Sequence, residues 1–170
     1  LAATRLLNDP HPSVRIEALG ACLPIWNRDR ELALKLALEA CGHENDAVLR
    51  SRWLHRFIGY ARFTQLEKLS PLMKRMVESP DAAVAEWGSA WATACWLDGD
   101  DFEESVRICC AGSKPQRLGV VGTAVQYFAG AKAVERILPV LNSAFAETDR
   151  DVRSRAARIF HTDGVFDNAA

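Results

Sequence analysis

The strongest constraint on the fold is a short segment that recurs at almost constant spacing along the chain. Its aligned apolar residues are Val14, Leu49, Val84, Leu118 and Val152, and the four intervals are 35, 35, 34 and 34 positions. Four nearly equal intervals are hard to obtain by chance, and a period of this size is typical of stacked helical pairs. The sequence therefore predicts an all-α solenoid, in which each repeat buries its apolar face against its neighbours.

Turn signals between the repeated segments divide the chain into five helical pairs. The predicted pairs span about 1–26, 27–63, 64–99, 100–130 and 131–163 of the 170 residues, and no segment reads as a β-strand. The first pair is truncated, and the chain begins without methionine inside a repeat. We interpret the sequence as one repeat array from a longer protein.

Prolines and capping residues predict where individual helices begin, end or bend. A helix is expected from 12 to about 24, because Pro12 suits the first turn of a helix. Another is expected over 47–62, with a boundary at Thr64. Pro71 and Pro139 fall inside predicted helices, where proline removes a hydrogen bond, so a kink or a late helix start is expected at Pro71 and a kink at Pro139.

The repeat resembles that of the HEAT-like (armadillo-type) family. The family pattern is an acidic turn, often Asp-Pro, then Val-Arg and a small residue four places after the Val. The matching residues are Asp9, Pro10, Val14, Arg15 and Ala18 in the first pair, and Asp151, Val152, Arg153 and Ala156 in the last. The resemblance covers essentially the whole chain and implies a right-handed α-solenoid. It implies little about function, because such arrays serve as scaffolds, adaptors, sensors and occasionally enzymes.

The resemblance also implies a structural ladder, in which the side chain of an acidic residue bonds the side chain of an arginine six positions later. Three pairs have this spacing: Asp9 with Arg15, Glu44 with Arg50, and Glu147 with Arg153. The third and fourth repeats lack both members. We expect these arginines to fix repeat geometry rather than bind a partner.

Composition narrows the class of protein without identifying a ligand. The net charge is −1 and hydrophobic residues make up 49% of the chain, which favours neither nucleic acid nor an anionic membrane. No apolar run approaches the roughly 18 residues of a membrane span, and no signal peptide is recognisable. We expect a cytoplasmic protein. Its five cysteines (Cys22, Cys41, Cys95, Cys109 and Cys110) are interpreted as small buried hydrophobic residues.

The second helices of the pairs line the concave face of such an array. Three positions after the aligned residue lie Arg52, Trp87, Val121 and Arg155, and seven positions after it lie Arg56 and Trp91. Stacked repeats would place the two arginines beside the two tryptophans, forming a mixed aromatic and cationic patch. The predicted partner-binding residues are therefore Arg52, Arg56, Trp87, Trp91 and Arg155. The alternative is that the tryptophans fill the core and the arginines cover them.

Two second helices are apolar or small on their remaining sides as well. These residues are Ala90, Ala94, Val120, Ala124, Tyr127 and Phe128. A helix that is apolar all round is normally buried all round. Either the superhelix covers these sides, or a partner or flanking domain does.

The function that these features favour is a non-catalytic scaffold or sensor that binds a protein partner, or a flanking domain of the same chain, on the concave face. The first alternative is nucleic-acid binding, because nine arginines lie on the second helices. The central helices, however, offer almost no cation.

Enzymatic functions are less well supported. No common catalytic motif is present, no histidines have metal-ligand spacing, and no cofactor is predicted. Some HEAT-like proteins are alkylpurine DNA glycosylases that use aromatic residues and an acid. Trp87, Trp91 and Glu86 could take those roles, although no local motif supports this. Bilin lyases are an equally remote alternative.

Overall fold

The computed structural model describes residues 2–42, 46–99, 101–130 and 133–161. These residues are all-helical, with ten α-helices, one short 3-10 helix and no β-strand among them. The chain divides into two compact units, Leu1–Leu72 and Met73–Ala170. Among the described residues, no helix combines the length and the apolar character that crossing a membrane requires.

The first unit contains four helices and most of a fifth. They are α1 (Ala2–Leu7), α2 (Pro12–Leu19), α3 (Cys22–Trp26), α4 (Arg30–Cys41) and α5 (Arg52–Val77), whose last turn belongs to the second unit. Side chains at two helix starts accept hydrogen bonds from main-chain amides. The His11 side chain accepts one from the amide of Ser13, and the Asp29 side chain accepts one from the amide of Leu32. The large side chains that are almost wholly buried here are Leu7, Leu19, Leu34, Leu49, Leu54, Phe57, Ile58 and Leu69.

The second unit contains five further α-helices and the 3-10 helix. They are α6 (Ala82–Asp98), α7 (Glu103–Cys110), α8 (Lys114–Ala129), α9 (Val134–Ala146) and α10 (Arg150–Ala157), followed by Arg158–His161 in 3-10 geometry. Helix α8 contacts α6, α7, α9 and α10 and is the centre of this unit. Its inward side chains and those of its neighbours form a core that includes Val121, Val125, Ile137, Leu141 and Val152.

The central position of α8 explains why its sequence is apolar on nearly every side. Val120 and Ala124 are buried, and Tyr127 and Phe128 are half-buried against the same core. On α6, Ala94 is buried and Ala90 is half-buried. Neighbouring helices of the same unit therefore cover much of this apolar surface. The sequence had left open whether the array itself, a partner or a flanking domain covers it.

Several helix boundaries differ from the sequence-based prediction. The helix expected over 12–24 is interrupted at Gly20 and Ala21, where a turn separates α2 from α3. The helix expected from residue 47 begins only at Arg52, because residues 46–50 form turns. The ring of Trp53 lies beside this interruption, at an ordinary contact distance of 3.4 Å from a Cβ atom placed on Gly20.

The backbone irregularity in α5 does not lie at its proline, and α9 is not interrupted at its own proline. In α5 the non-helical residue is Gln65, with φ −134° and ψ 28°, one position after the boundary predicted at Thr64. Pro71 follows in the resumed helix. In the second unit α9 is one continuous helix that includes Pro139. The irregularity in α5 is thus taken up where the predicted repeats meet rather than at the proline.

Candidate functional site

The predicted partner-binding residues are divided between the two units. Arg52 and Arg56 lie on α5 in the first unit, whereas Trp87 and Trp91 on α6 and Arg155 on α10 lie in the second. Within the first unit the Arg52 guanidinium carbon lies 4.8 Å from the centre of the Trp53 ring. Cation–π contact therefore occurs with the adjacent tryptophan.

A groove in the second unit is formed by residues of α6, α8 and α10. It encloses about 300 Å³ and is bordered by two of the predicted residues, Trp87 and Arg155. The remaining lining residues are Ala83, Glu86, Ala90, Gly119, Gly122, Thr123 and Gln126. Trp91 is half-buried and does not line this groove.

Small residues form the floor of the groove because the helices approach closely beneath it. A Cβ atom on Gly119 would lie only 2.2 Å from the main-chain oxygen of Glu86 on α6. The absence of a side chain at Gly119 therefore lets the backbone of α6 approach α8 closely. At Gly122 the neighbour is a side chain, because a Cβ atom there would lie 2.9 Å from Arg155 Nη1. The guanidinium of Arg155 therefore rests on the glycine surface of α8.

An ion pair bridges the groove from α6 to α10. Arg155 Nη2 donates to Glu86 Oε1 at 3.1 Å, and the two side chains are 27% and 35% exposed. Beside this pair, Trp87 is 44% exposed, which is a large solvent-exposed area for a tryptophan. An indole ring next to a partly shielded ion pair offers apolar contact and hydrogen bonding together, the combination enriched at binding hot spots.

The groove residues follow a period of 36, not the 34 expected from the aligned apolar residues. Ala83, Gly119 and Arg155 are successive members of this series. A shift of two residues turns a helix surface by about 200°. Val121, expected on this face, is accordingly buried in the core at 4% exposure, and the expectation was wrong for α8.

The ladder arginines bond main-chain oxygens. Arg15 Nη1 donates to the carbonyl oxygen of Asp9 at 2.7 Å, and Arg153 Nη1 donates to that of Glu147 at 2.5 Å. The Asp9 carboxylate accepts instead from the amide of His11. Both arginines thus tie the turn to the helix that follows it. For the remaining predicted pair, Arg50 is exposed and Glu44 lies outside the described residues.

An additional set of ionic contacts links consecutive repeats in the second unit. Arg117 Nη1 donates to Gly112 O at 2.5 Å, and its Nε lies 3.2 Å from Glu147 Oε1 in an ion pair. Lys114 on the same helix pairs with Asp149 and Asp151. The six-residue spacing rule could not find these contacts, because the partners lie 30 or more positions apart. The sequence feature that could have indicated them is a pair of basic residues at the start of α8 together with acidic residues around the start of α10.

Removing the Arg117 side chain is expected to destabilise the second unit by about 2 kcal/mol, since its charged hydrogen bond and ion pair are both partly buried. The matched control is Arg107→Ala, which removes a solvent-exposed pair with Glu104 and should cost much less, because exposed ion pairs contribute little to stability. Urea denaturation followed by circular dichroism measures both values. Equal losses in the two variants would contradict a structural role for Arg117.

Four of the five cysteines are buried. The prediction of burial is confirmed for Cys22, Cys41, Cys95 and Cys109, and it was wrong for Cys110, which is exposed. Burial raises the pKa of Cys22 to about 11, and it also raises the pKa of Cys109. No group of three or more His, Cys, Asp or Glu residues in the described ranges is arranged to hold a metal ion.

Comparisons with known proteins add no relative to this description. No protein-family model, no curated protein and no solved structure matches the chain.

Proposed function

We propose that the chain is a right-handed solenoid of about five HEAT-like helical pairs. The burial of three of the five repeated apolar positions supports this architecture, because Leu49, Val84 and Val152 are all 0% exposed, while Val14 and Leu118 are half-buried. The repeated bond from Arg15 and Arg153 to the carbonyl oxygen six residues earlier supports it as well. Both features fall at the same phase of the repeat, although the arginines bond main-chain oxygens and not the acidic side chains predicted as their partners.

We further propose that the array is an intracellular, non-catalytic segment that binds a protein partner or a flanking domain of its own chain. The observation that carries this proposal is the groove over α6, α8 and α10, with exposed Trp87 at its border. Its alanine and glycine residues, which carry little or no side chain, leave a volume of about 300 Å³ for side chains of a partner. The ion pair of Glu86 and Arg155 supplies hydrogen-bonding groups of both signs at the edge of the groove.

Nucleic-acid binding receives less support from the same side chains. A phosphate track needs several uncommitted cations along one surface. Arg15 and Arg153 bond main-chain oxygens, while Arg117 and Arg155 form ion pairs with Glu147 and Glu86. These contacts leave the groove of the second unit with no excess of positive charge among its lining residues.

Selection of binding peptides from a display library, followed by affinity measurement, tests this proposal. Trp87→Ala is expected to weaken the selected peptides at least tenfold, about 1.4 kcal/mol or more, because it removes the aromatic border of the groove. Ile108→Ala is the matched control, since Ile108 is an exposed apolar residue at 54% on α7. It should change affinity less than twofold. The proposal fails if peptides bind and both variants retain wild-type affinity.

A further inference from the structure

A second cleft lies in the first unit, between the end of α3 and the middle of α5. It encloses about 440 Å³ and is lined by Leu23, Pro24, Trp26, Asn27, Arg56 and Tyr60. Its volume falls in the range of about 300–1,000 Å³ that is typical of ligand sites. Its residues are separate from those of the groove on α6, α8 and α10.

The apolar wall of this cleft is partly fixed and partly open. Trp26 is only 8% exposed and packs edge-on against Phe57, with ring centroids 5.4 Å apart and an interplanar angle of 84°. Tyr60, by contrast, is 55% exposed. Because Trp26 is held in place by Phe57, this part of the wall is preformed, and an incoming segment would have to order only the exposed side chains of Tyr60 and Arg56. That arrangement lowers the entropic cost of binding.

The charge of the cleft is positive. Arg56 is the only charged residue in its lining and lies four positions before Tyr60, so the two share one face of α5. The guanidinium carbon of Arg30 lies 5.6 Å from the centre of the Trp26 ring and adds a second cation. The acidic residue closest in sequence to the lining residues of the cleft is Asp29, two positions after Asn27. Its carboxylate accepts a hydrogen bond from the amide of Leu32 at 2.9 Å.

Arg56 is exposed and remains uncommitted within the part of the chain that the structure describes. No carboxylate among those residues pairs with it. A guanidinium presents several donors in a planar fork that fits a carboxylate at two points. An exposed aromatic ring with an unpaired arginine one helical turn away is therefore complementary to an acidic residue next to an apolar one.

We propose that this cleft binds an acidic peptide segment, with a carboxylate on Arg56 and an aromatic or large aliphatic side chain against Tyr60 and Trp26. Single-stranded nucleic acid fits less well. It requires a row of cations and open stacking faces, whereas here one cation lines the cleft and Trp26 is 92% covered. The inference does not depend on the groove of the second unit.

The test measures fluorescence anisotropy of labelled peptides in which acidic residues flank a single phenylalanine, at near-physiological salt. We expect the acidic peptides to bind at least tenfold more tightly than peptides with lysine in the acidic positions. Arg56→Glu should reduce the affinity by tenfold or more, and Tyr60→Ala by a smaller factor. Arg5→Glu is the matched control, because it makes the same change of charge at an exposed position on α1 that does not line the cleft. It should alter affinity less than twofold.

Four results would overturn the inference. The first is equal binding of acidic and basic peptides, or no binding of either. The second is equal loss of affinity in Arg5→Glu and Arg56→Glu, which would indicate only a general charge effect. The third is a labelled single-stranded oligonucleotide that binds more tightly than the acidic peptides. The fourth is loss of peptide binding in Trp87→Ala, which would move the site to the second unit. Circular dichroism confirms that each variant is folded.

Discussion

Replacing Gly119 with alanine is expected to destabilise the second unit by about 3 kcal/mol, at the upper end of overpacking effects. The added Cβ atom would lie 2.2 Å from Glu86 O and 3.0 Å from Ala90 N, both main-chain atoms of α6. A backbone cannot move aside as a flexible side chain can, so α6 and α8 would have to separate. The better helix propensity of alanine offsets only about 1 kcal/mol of this cost.

Urea denaturation measures the effect, and Gly130→Ala on the same helix provides the control. Gly130 ends α8, and the nearest atom to a Cβ there is Tyr127 O at an ordinary 3.5 Å. The control should therefore change stability by less than about 0.5 kcal/mol. A Gly119→Ala protein as stable as the wild type would contradict the close approach of α6 and α8 on which the floor of the groove depends.

The second large effect is a loss of stability on mild acidification, caused by His55 in the first unit. Its side chain is only 6% exposed, and desolvation lowers its pKa from 6.5 to about 4, against the opposing effect of a hydrogen bond with the main chain of Leu49. The unfolded chain therefore binds a proton more readily than the folded one. The stabilising contribution is fully present above about pH 6.5 and is lost as the pH falls towards 4.

The loss attributable to His55 is about 2 kcal/mol at pH 5 and approaches about 3 kcal/mol at pH 4. Urea denaturation at a series of pH values measures it. His55→Gln retains a donor for the Leu49 carbonyl but has no proton to gain, so its stability should change much less between pH 7 and pH 5. If the variant and the wild type lost stability in parallel, the dependence would have to come from other groups.

The all-helical class and most helix positions could be predicted from sequence because they depend on local signals. Apolar spacing marks the repeated positions, and Leu49, Val84 and Val152 are indeed fully buried. Capping residues mark helix starts, as at Asp81 and Asp149. The division of α2 from α3 at Gly20 was not predicted, because nothing in the local pattern distinguishes that glycine from one tolerated inside a helix.

The candidate site was only partly predictable, since it depends on how successive helices are rotated relative to one another. The spacing selected Trp87 and Arg155, and both border the groove. It also placed Val121 there and overlooked Gly119 and Thr123, because an error of two positions moves a residue to the opposite side of its helix. The pairing of Arg155 with Glu86 spans 69 positions and leaves no local signature.

A partner is proposed to occupy the groove over α6, α8 and α10. Amide chemical-shift changes of the isotope-labelled protein on adding a selected peptide test this directly. The largest changes are expected at the amides of Ala83, Trp87, Gly122, Thr123 and Arg155. Shifts confined to the exposed faces of α7 and α9, such as at Ile108 and Leu138, would contradict it.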